Sequence, residues 1–101
     1  MRPIIWSKEA RSDYFSILRY IASDNPAAAD KVVDAIEAAG NALGDFPTGR
    51  PGRVTGMYEK SVTRLPYVIA YELHAVADQE IVFILRVIHT SRNWPTEGWP
   101  P

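Results

Sequence analysis

Residues 58–95 read YEKSVTRLPYVIAYELHAVADQEIVFILRVIHTSRNWP, and the reading of this stretch decides the fold. At period two it divides into three strand candidates, residues 58–65, 67–74 and 80–89. The joints are Pro66 and residues 75–79, too short for a parallel crossover, so the three strands form an antiparallel meander. Residues 81–85 are apolar on both faces, the pattern of a strand in the middle of a sheet with cover on both sides. Arg86 breaks that run, and His89 and Arg92 follow. Function is expected at this cationic end of what reads as the most buried strand.

Composition narrows the classes further. The 101 residues are expected to form one domain around a single core, with residues 96–101 as a flexible or partner-contacting tail. The absence of cysteine excludes a disulfide scaffold, a zinc ribbon and a thiol nucleophile. His74 and His89 do not fall in a metal-ligand pattern, so neither a metal nor another cofactor is expected. The longest aliphatic or aromatic run, residues 81–85, is far short of the roughly 20 that span a bilayer. The N-terminus lacks the apolar core of a signal peptide, and a cytoplasmic protein with no membrane partner is expected. A net charge of −1 gives no general footprint for nucleic acid. Locally, Arg50, Arg53, Lys60 and Arg64 face only Glu59 between positions 50 and 64, a basic segment on a mildly acidic chain.

Upstream of the meander the apolar period changes from two to that of a helix. Residues 2–6, with Ile4, Ile5 and Trp6, read as a short first strand. Ser7 is placed to cap a helix, with Glu9 favourable at its positive end. Ala10, Tyr14, Ile17, Leu18 and Ile21 mark one helical face, and Asp13 is assigned with the polar residues elsewhere on the wheel. Asn25-Pro26 ends that helix and starts a second, whose face is Ala29, Val32, Val33, Ile36 and Leu43. So short a joint makes the pair an antiparallel helical hairpin. Gly44 fits a C-terminal cap, and Pro47 bars further helix. Residues 48–56, punctuated by Gly49, Pro51, Gly52 and Gly56, read as a loop without the spacing of a phosphate-binding loop. If each short connection reverses the chain, the first strand lies antiparallel to an outer strand of the meander. The expected fold is a two-layer α+β domain, β-α-α-β-β-β, with the helical hairpin packed on an antiparallel sheet.

Several short motifs stand in one order along nearly the whole chain. They are Trp6-Ser7 to Ala10, Tyr20-Ile21-Ala22 before Asn25-Pro26-Ala27-Ala28-Ala29, and Leu43 through Phe46-Pro47. Gly49-Arg50-Pro51-Gly52-Arg53-Val54, Pro66-Tyr67-Val68-Ile69-Ala70-Tyr71, Ile84-Leu85-Arg86-Val87-Ile88-His89 and Arg92-Asn93-Trp94-Pro95 follow. In that order the sequence resembles the RelE/ParE family of type II toxin–antitoxin toxins, nearest its ParE-like branch. The resemblance implies a growth-inhibiting toxin held inactive by a cognate antitoxin in a hetero-oligomer. ParE-like members poison DNA gyrase, whereas RelE-like members cut messenger RNA on the ribosome. Metal-free RNA cleavage needs a base, an acid and cations for the phosphorane charge.

By this resemblance Arg64 and Arg86 fall near strand positions where RelE-like nucleases keep arginines, and His89 lies near their C-terminal acid/base region. The lysine-rich segment of many such nucleases is here Met57-Tyr58-Glu59-Lys60, and no tyrosine follows His89. Gyrase poisoning by binding, without catalysis, is therefore the leading expectation. Ribosome-dependent cleavage by Arg64, Arg86 and His89 is the alternative, and a relic that only binds antitoxin or regulates its operon is a third. Target contacts are expected at Arg53, Arg64, Arg86, His89, Arg92 and Trp94. Antitoxin contacts are expected at Tyr14, Phe15, Leu18 and Tyr20. Arg86 cannot stand unpaired on a buried strand, and is expected to meet Glu72 or the backbone near residues 92–94.

Overall fold

The computed structural model describes residues 2–52 and 55–90. Strand β1 (Ile4–Trp6) leads into α1 (Lys8–Ala22) and α2 (Pro26–Ala42); β2 (Arg50–Pro51), β3 (Tyr58–Ser61), β4 (Tyr67–Val76) and β5 (Gln79–His89) follow. Both helices start where the sequence places them. The Ser7 hydroxyl accepts from the Ala10 amide at 2.9 Å, and the Asn25 side chain accepts from the Ala28 amide at 3.1 Å. Each cap thereby satisfies a donor that a first helical turn leaves over. Pro26 opens α2, at a position where its missing amide costs no hydrogen bond.

The strands form one sheet in the order β1-β5-β4-β3-β2. From β2 to β5 each neighbour is antiparallel, but β1 runs parallel to β5, with Ile4 opposite Val82 and Trp6 opposite Ile84. The sheet is therefore mixed, and the expected antiparallel placement of the first strand is corrected. The cause is β2. Residues 48–56 hold a two-residue strand as well as turns, which adds one reversal and inverts the direction of the whole meander. Gly49 permits it: at φ +138° it adopts a backbone that L side chains avoid, and a Cβ there would stand 2.6 Å from the Glu59 carbonyl oxygen. Arg50 reaches the buried Glu59 carboxylate at 3.3 Å, and the Tyr71 hydroxyl donates to the Thr48 carbonyl at 2.7 Å. These bonds hold β2 at the sheet edge.

The helical hairpin covers one sheet face, where Ala10, Ile36 and Leu43 pack with Ile69, Tyr71, Val82, Ile84 and Val87. Each large side chain buried there contributes roughly 1.5–3 kcal/mol. Alternate residues of β4 and β5 face the other way, and Val68, Ala70 and Ile88 form a second cluster with Met57. Tyr67 to Tyr71 are all buried, so β4 and not β5 is the most buried strand. Gly44 is not a left-handed cap either. The last helical turn closes at Leu43 with φ −65°, and a Cβ on Gly44 would meet the Arg2 carbonyl oxygen at 2.8 Å. Its small size lets the chain entering β1 cross the end of α2. No helix among the described residues is long and apolar enough to cross a membrane.

Candidate functional site

The end of β5 is shaped by an irregularity. Tyr71 pairs with Ile84 and Ala70 with Arg86, so Leu85 is an extra residue, a β-bulge. Strict alternation would put Arg86 on the face of Val82 and Ile84, and His89 on the opposite one. The bulge resets the phase. Leu85 joins the far cluster, Val87 packs in the main core, and His89 turns to the helix side, while Arg86 falls opposite Ala70 of the far cluster and its guanidinium reaches Asp13 of α1 beside the strand.

Helix α1 supplies what this end of β5 lacks beyond β1. Ser7 donates from its backbone amide to the Ile84 carbonyl at 2.9 Å and from its hydroxyl to the Leu85 carbonyl at 2.8 Å. Asp13, two turns on, takes the place of a missing neighbour strand. Its Oδ2 accepts from the Val87 amide at 3.0 Å and from Arg86 Nε at 2.7 Å, while Oδ1 accepts from Arg86 Nη2 at 2.9 Å. The pair is largely removed from water, with side chains 14% and 20% exposed. Hydrogen bonding to Asp13 raises the Arg86 pKa above its ordinary value; burial opposes this, and the charges of Asp13 and Glu9 add to it. The expected partner Glu72 is thereby corrected: it lies opposite Phe83, and His74 Nε2 stands 3.5 Å from its carboxylate.

Beside this pair lies an open groove of about 580 Å³. Ile17 and Val87 give it apolar surface, Ser16 and Tyr20 line it from α1, and Tyr67 and His89 line it from the sheet. Tyr67 and His89 are register partners whose rings meet edge to face, with centroids 5.4 Å apart. Burial pushes the Tyr67 hydroxyl pKa up, and the proximity of Tyr20 adds to the shift. Among the described residues no lysine or arginine lines the groove. The walls can stack a flat group and exchange hydrogen bonds, but they present little positive charge.

The sequence-derived site residues separate into distinct places. Arg86 sits next to the bulge on Asp13, and His89, three residues on, lines the groove with Asp13 and Tyr67. Arg64 is exposed in the turn between β3 and β4, at the same sheet end, with a left-handed φ of 65°. The amide of Thr90 closes that end by donating to the Pro66 carbonyl at 2.9 Å. Arg53, Arg92 and Trp94 lie outside the described residues. Of the helical set, Tyr14 reaches towards α2, its hydroxyl 3.3 Å from Glu37 Oε2, and Phe15 packs edge-on against its ring. Leu18 is half-buried and Phe15 is 50% exposed. Tyr20, 80% exposed, belongs to the opposite flank of α1 and to the groove.

Asp13 and Tyr67 were missed. Asp13 stands three residues after Ala10 and four before Ile17, on the edge of the apolar stripe, and that spacing was a signal available in the sequence. Tyr67 read only as a strand residue. The remaining cations of the basic segment are engaged locally, Arg50 with Glu59 and Lys60 with the Thr48 hydroxyl at 2.7 Å.

A helical hairpin on a mixed sheet, preceded by a strand that pairs with the last one, defines a class of small α+β proteins. A solved structure of a chromosomal ParDE toxin–antitoxin system from P. aeruginosa shares this fold, with a TM-score of 0.81 over 90% of this chain and 98% of that one at 22% identity. The model of the ParE toxin of type II toxin–antitoxin systems, parDE, matches residues 4–94, and the chain belongs to that family. It is 37% identical over 93 residues to Y4kP of Sinorhizobium fredii, a protein to which a toxin role is ascribed, covering 91% of this chain and 92% of that one. It is 32% identical over 92 residues to toxin RelE2 of Caulobacter vibrioides, covering 91% and 99% respectively.

Proposed function

We propose that this toxin arrests growth by binding and poisoning DNA gyrase in the cytoplasm, and that a cognate antitoxin silences it. One observation carries the choice of mechanism. Arg86, whose partner Asp13 lines the groove, is neutralised by that bidentate carboxylate, and no lysine or arginine among the described residues lines the groove. Cleaving RNA without a metal requires positive charge where the phosphorane develops. A neutral groove walled by aromatic rings suits a protein surface better. The antitoxin is proposed to cover the α2-side flank of α1, where Phe15 and Leu18 offer apolar surface to a segment that folds on binding. The ParDE relative, itself a toxin–antitoxin system, supports such a partner.

A second reading, ribosome-dependent cleavage, is favoured by the edge contact of Tyr67 and His89 in one groove, since both can carry protons. Induction in growing cells separates the two. Gyrase poisoning predicts filamentous cells and a DNA-damage response, abolished by co-expression of the protein encoded beside the toxin. Codon-phased cuts in ribosome-bound messages, lost in His89→Ala, would replace it with the nuclease.

A further inference from the structure

We infer that Asp13 is a specificity residue whose carboxylate occupies the anion-binding face of Arg86 and so bars phosphate from the groove. This rests on the reading that the groove end of the sheet meets a protein target, and it names the residue that keeps the site in that class. A guanidinium offers Nε and an Nη as a fork, which carboxylates and phosphates fill in the same way. Both oxygens of Asp13 sit in that fork, at 2.7 and 2.9 Å, so a phosphate would have to take their place.

Displacement is opposed by how the carboxylate is held. Oδ2 also accepts from the Val87 amide at 3.0 Å, so removing Asp13 would strip a backbone donor as well as a cation. The carboxylate is delivered by a helix fixed to the same strand through Ser7 Oγ, 2.8 Å from the Leu85 carbonyl, and packed at Ala10. An intramolecular ligand on a rigid element competes at high effective concentration. The paired charges also cancel, leaving little field to attract a polyanion. The groove beside them keeps aromatic and hydroxyl chemistry, with Tyr20, Tyr67 and His89 as its protein-facing walls.

The probe is inorganic phosphate, titrated into isotopically labelled toxin while the Arg86 Nε–H resonance is followed by NMR. Wild-type protein should show no saturable shift. Asp13→Asn keeps an acceptor for the Val87 amide while removing the charge, and should gain phosphate affinity by about tenfold or more, the scale of a charge-assisted hydrogen bond. Adding Arg86→Gln should abolish the gain. Saturable binding by the wild type as tight as by Asp13→Asn, or a folded Asp13→Asn protein with no gain, would overturn the inference. If Asp13→Asn fails to fold, phenylglyoxal mapping of the wild type decides. Added phosphate should leave the modification rate of Arg86 unchanged, and protection of Arg86 by phosphate would overturn the inference. Gyrase assays on the wild type test the underlying reading separately, because they do not depend on either phosphate result.

Discussion

The two flanks of α1 are built from similar residues and do different work. On the α2 side, Tyr14, Phe15 and Leu18 present apolar surface, and Phe15 stays 50% exposed with its ring against Tyr14. On the sheet side, Asp13 is committed to three hydrogen bonds within the protein, and Tyr20 overhangs a groove. The first flank leaves the Phe15 ring half out of the fold, which is what a binding surface for a folding partner requires. The other carries a side chain the fold cannot do without. Exposure alone therefore does not mark the functional flank, since the flank with the more exposed ring, Tyr20, also carries the buried carboxylate that holds Arg86.

The largest test of that difference is Asp13→Ala. It removes the Asp13 carboxylate from both the Arg86 guanidinium and the Val87 amide, and should cost about 3 kcal/mol or more in denaturant unfolding. Arg86→Met should cost less than Asp13→Ala or Arg86→Ala, because it removes the charge and refills the stem volume. Equal midpoints for Asp13→Ala and wild type would erase the distinction between the flanks.

Next in size is Gly40→Ala on α2, beneath the hairpin. A Cβ there would stand 2.5 Å from Trp6 Cζ2 and 3.0 Å from Ile84 Cδ1. Overpacking of this kind costs about 1–3 kcal/mol, more than the roughly 1 kcal/mol alanine gains in helix propensity. A net loss in thermal stability is expected, recovered in part by Trp6→Phe, which shortens the ring.

A smaller effect concerns pH. Burial raises the Tyr67 pKa on the sheet side, with Tyr20 contributing, and burial raises that of Tyr14 on the α2 side, with Glu37 contributing. A tyrosine whose folded pKa is raised adds stability that is fully present below its unfolded pKa of about 10, and lost as pH rises through the folded value. Unfolding free energy should therefore be insensitive to these groups at neutral pH and fall above about pH 10. Tyr67→Phe should shrink that alkaline loss.

The smallest stability change is expected at the exposed rings. Phe15→Ser and Tyr20→Ser should each stay within about 0.5 kcal/mol of wild type. Only Phe15→Ser should weaken antitoxin binding, by about 2 kcal/mol if the ring is an anchor, as read by calorimetry. Equal losses in both variants would place the antitoxin across both flanks.

The comparison also separates what local sequence could and could not reveal. The helices, their Ser7 and Asn25 caps and the meander follow from periodicity, capping chemistry and joint length, and the structure carries them all. The direction of β1 did not follow, because a two-residue strand at Arg50–Pro51 has no periodicity to detect, yet it alters the parity of every later strand. The meeting of Arg86 with Asp13 was hidden for a related reason. It joins residues 73 positions apart, and a bulge that no residue pattern announces resets the faces of Arg86 and His89. Register and bulges are set by tertiary packing, whereas caps and stripes are set by neighbours in the chain.

The most direct test of binding over catalysis is reconstitution of the purified, antitoxin-free protein with DNA gyrase and supercoiled plasmid, run beside translating ribosomes on a defined message. Gyrase poisoning predicts linear plasmid DNA released after denaturing the trapped gyrase, with the message intact. An intact plasmid together with a message cut at codon boundaries would contradict it.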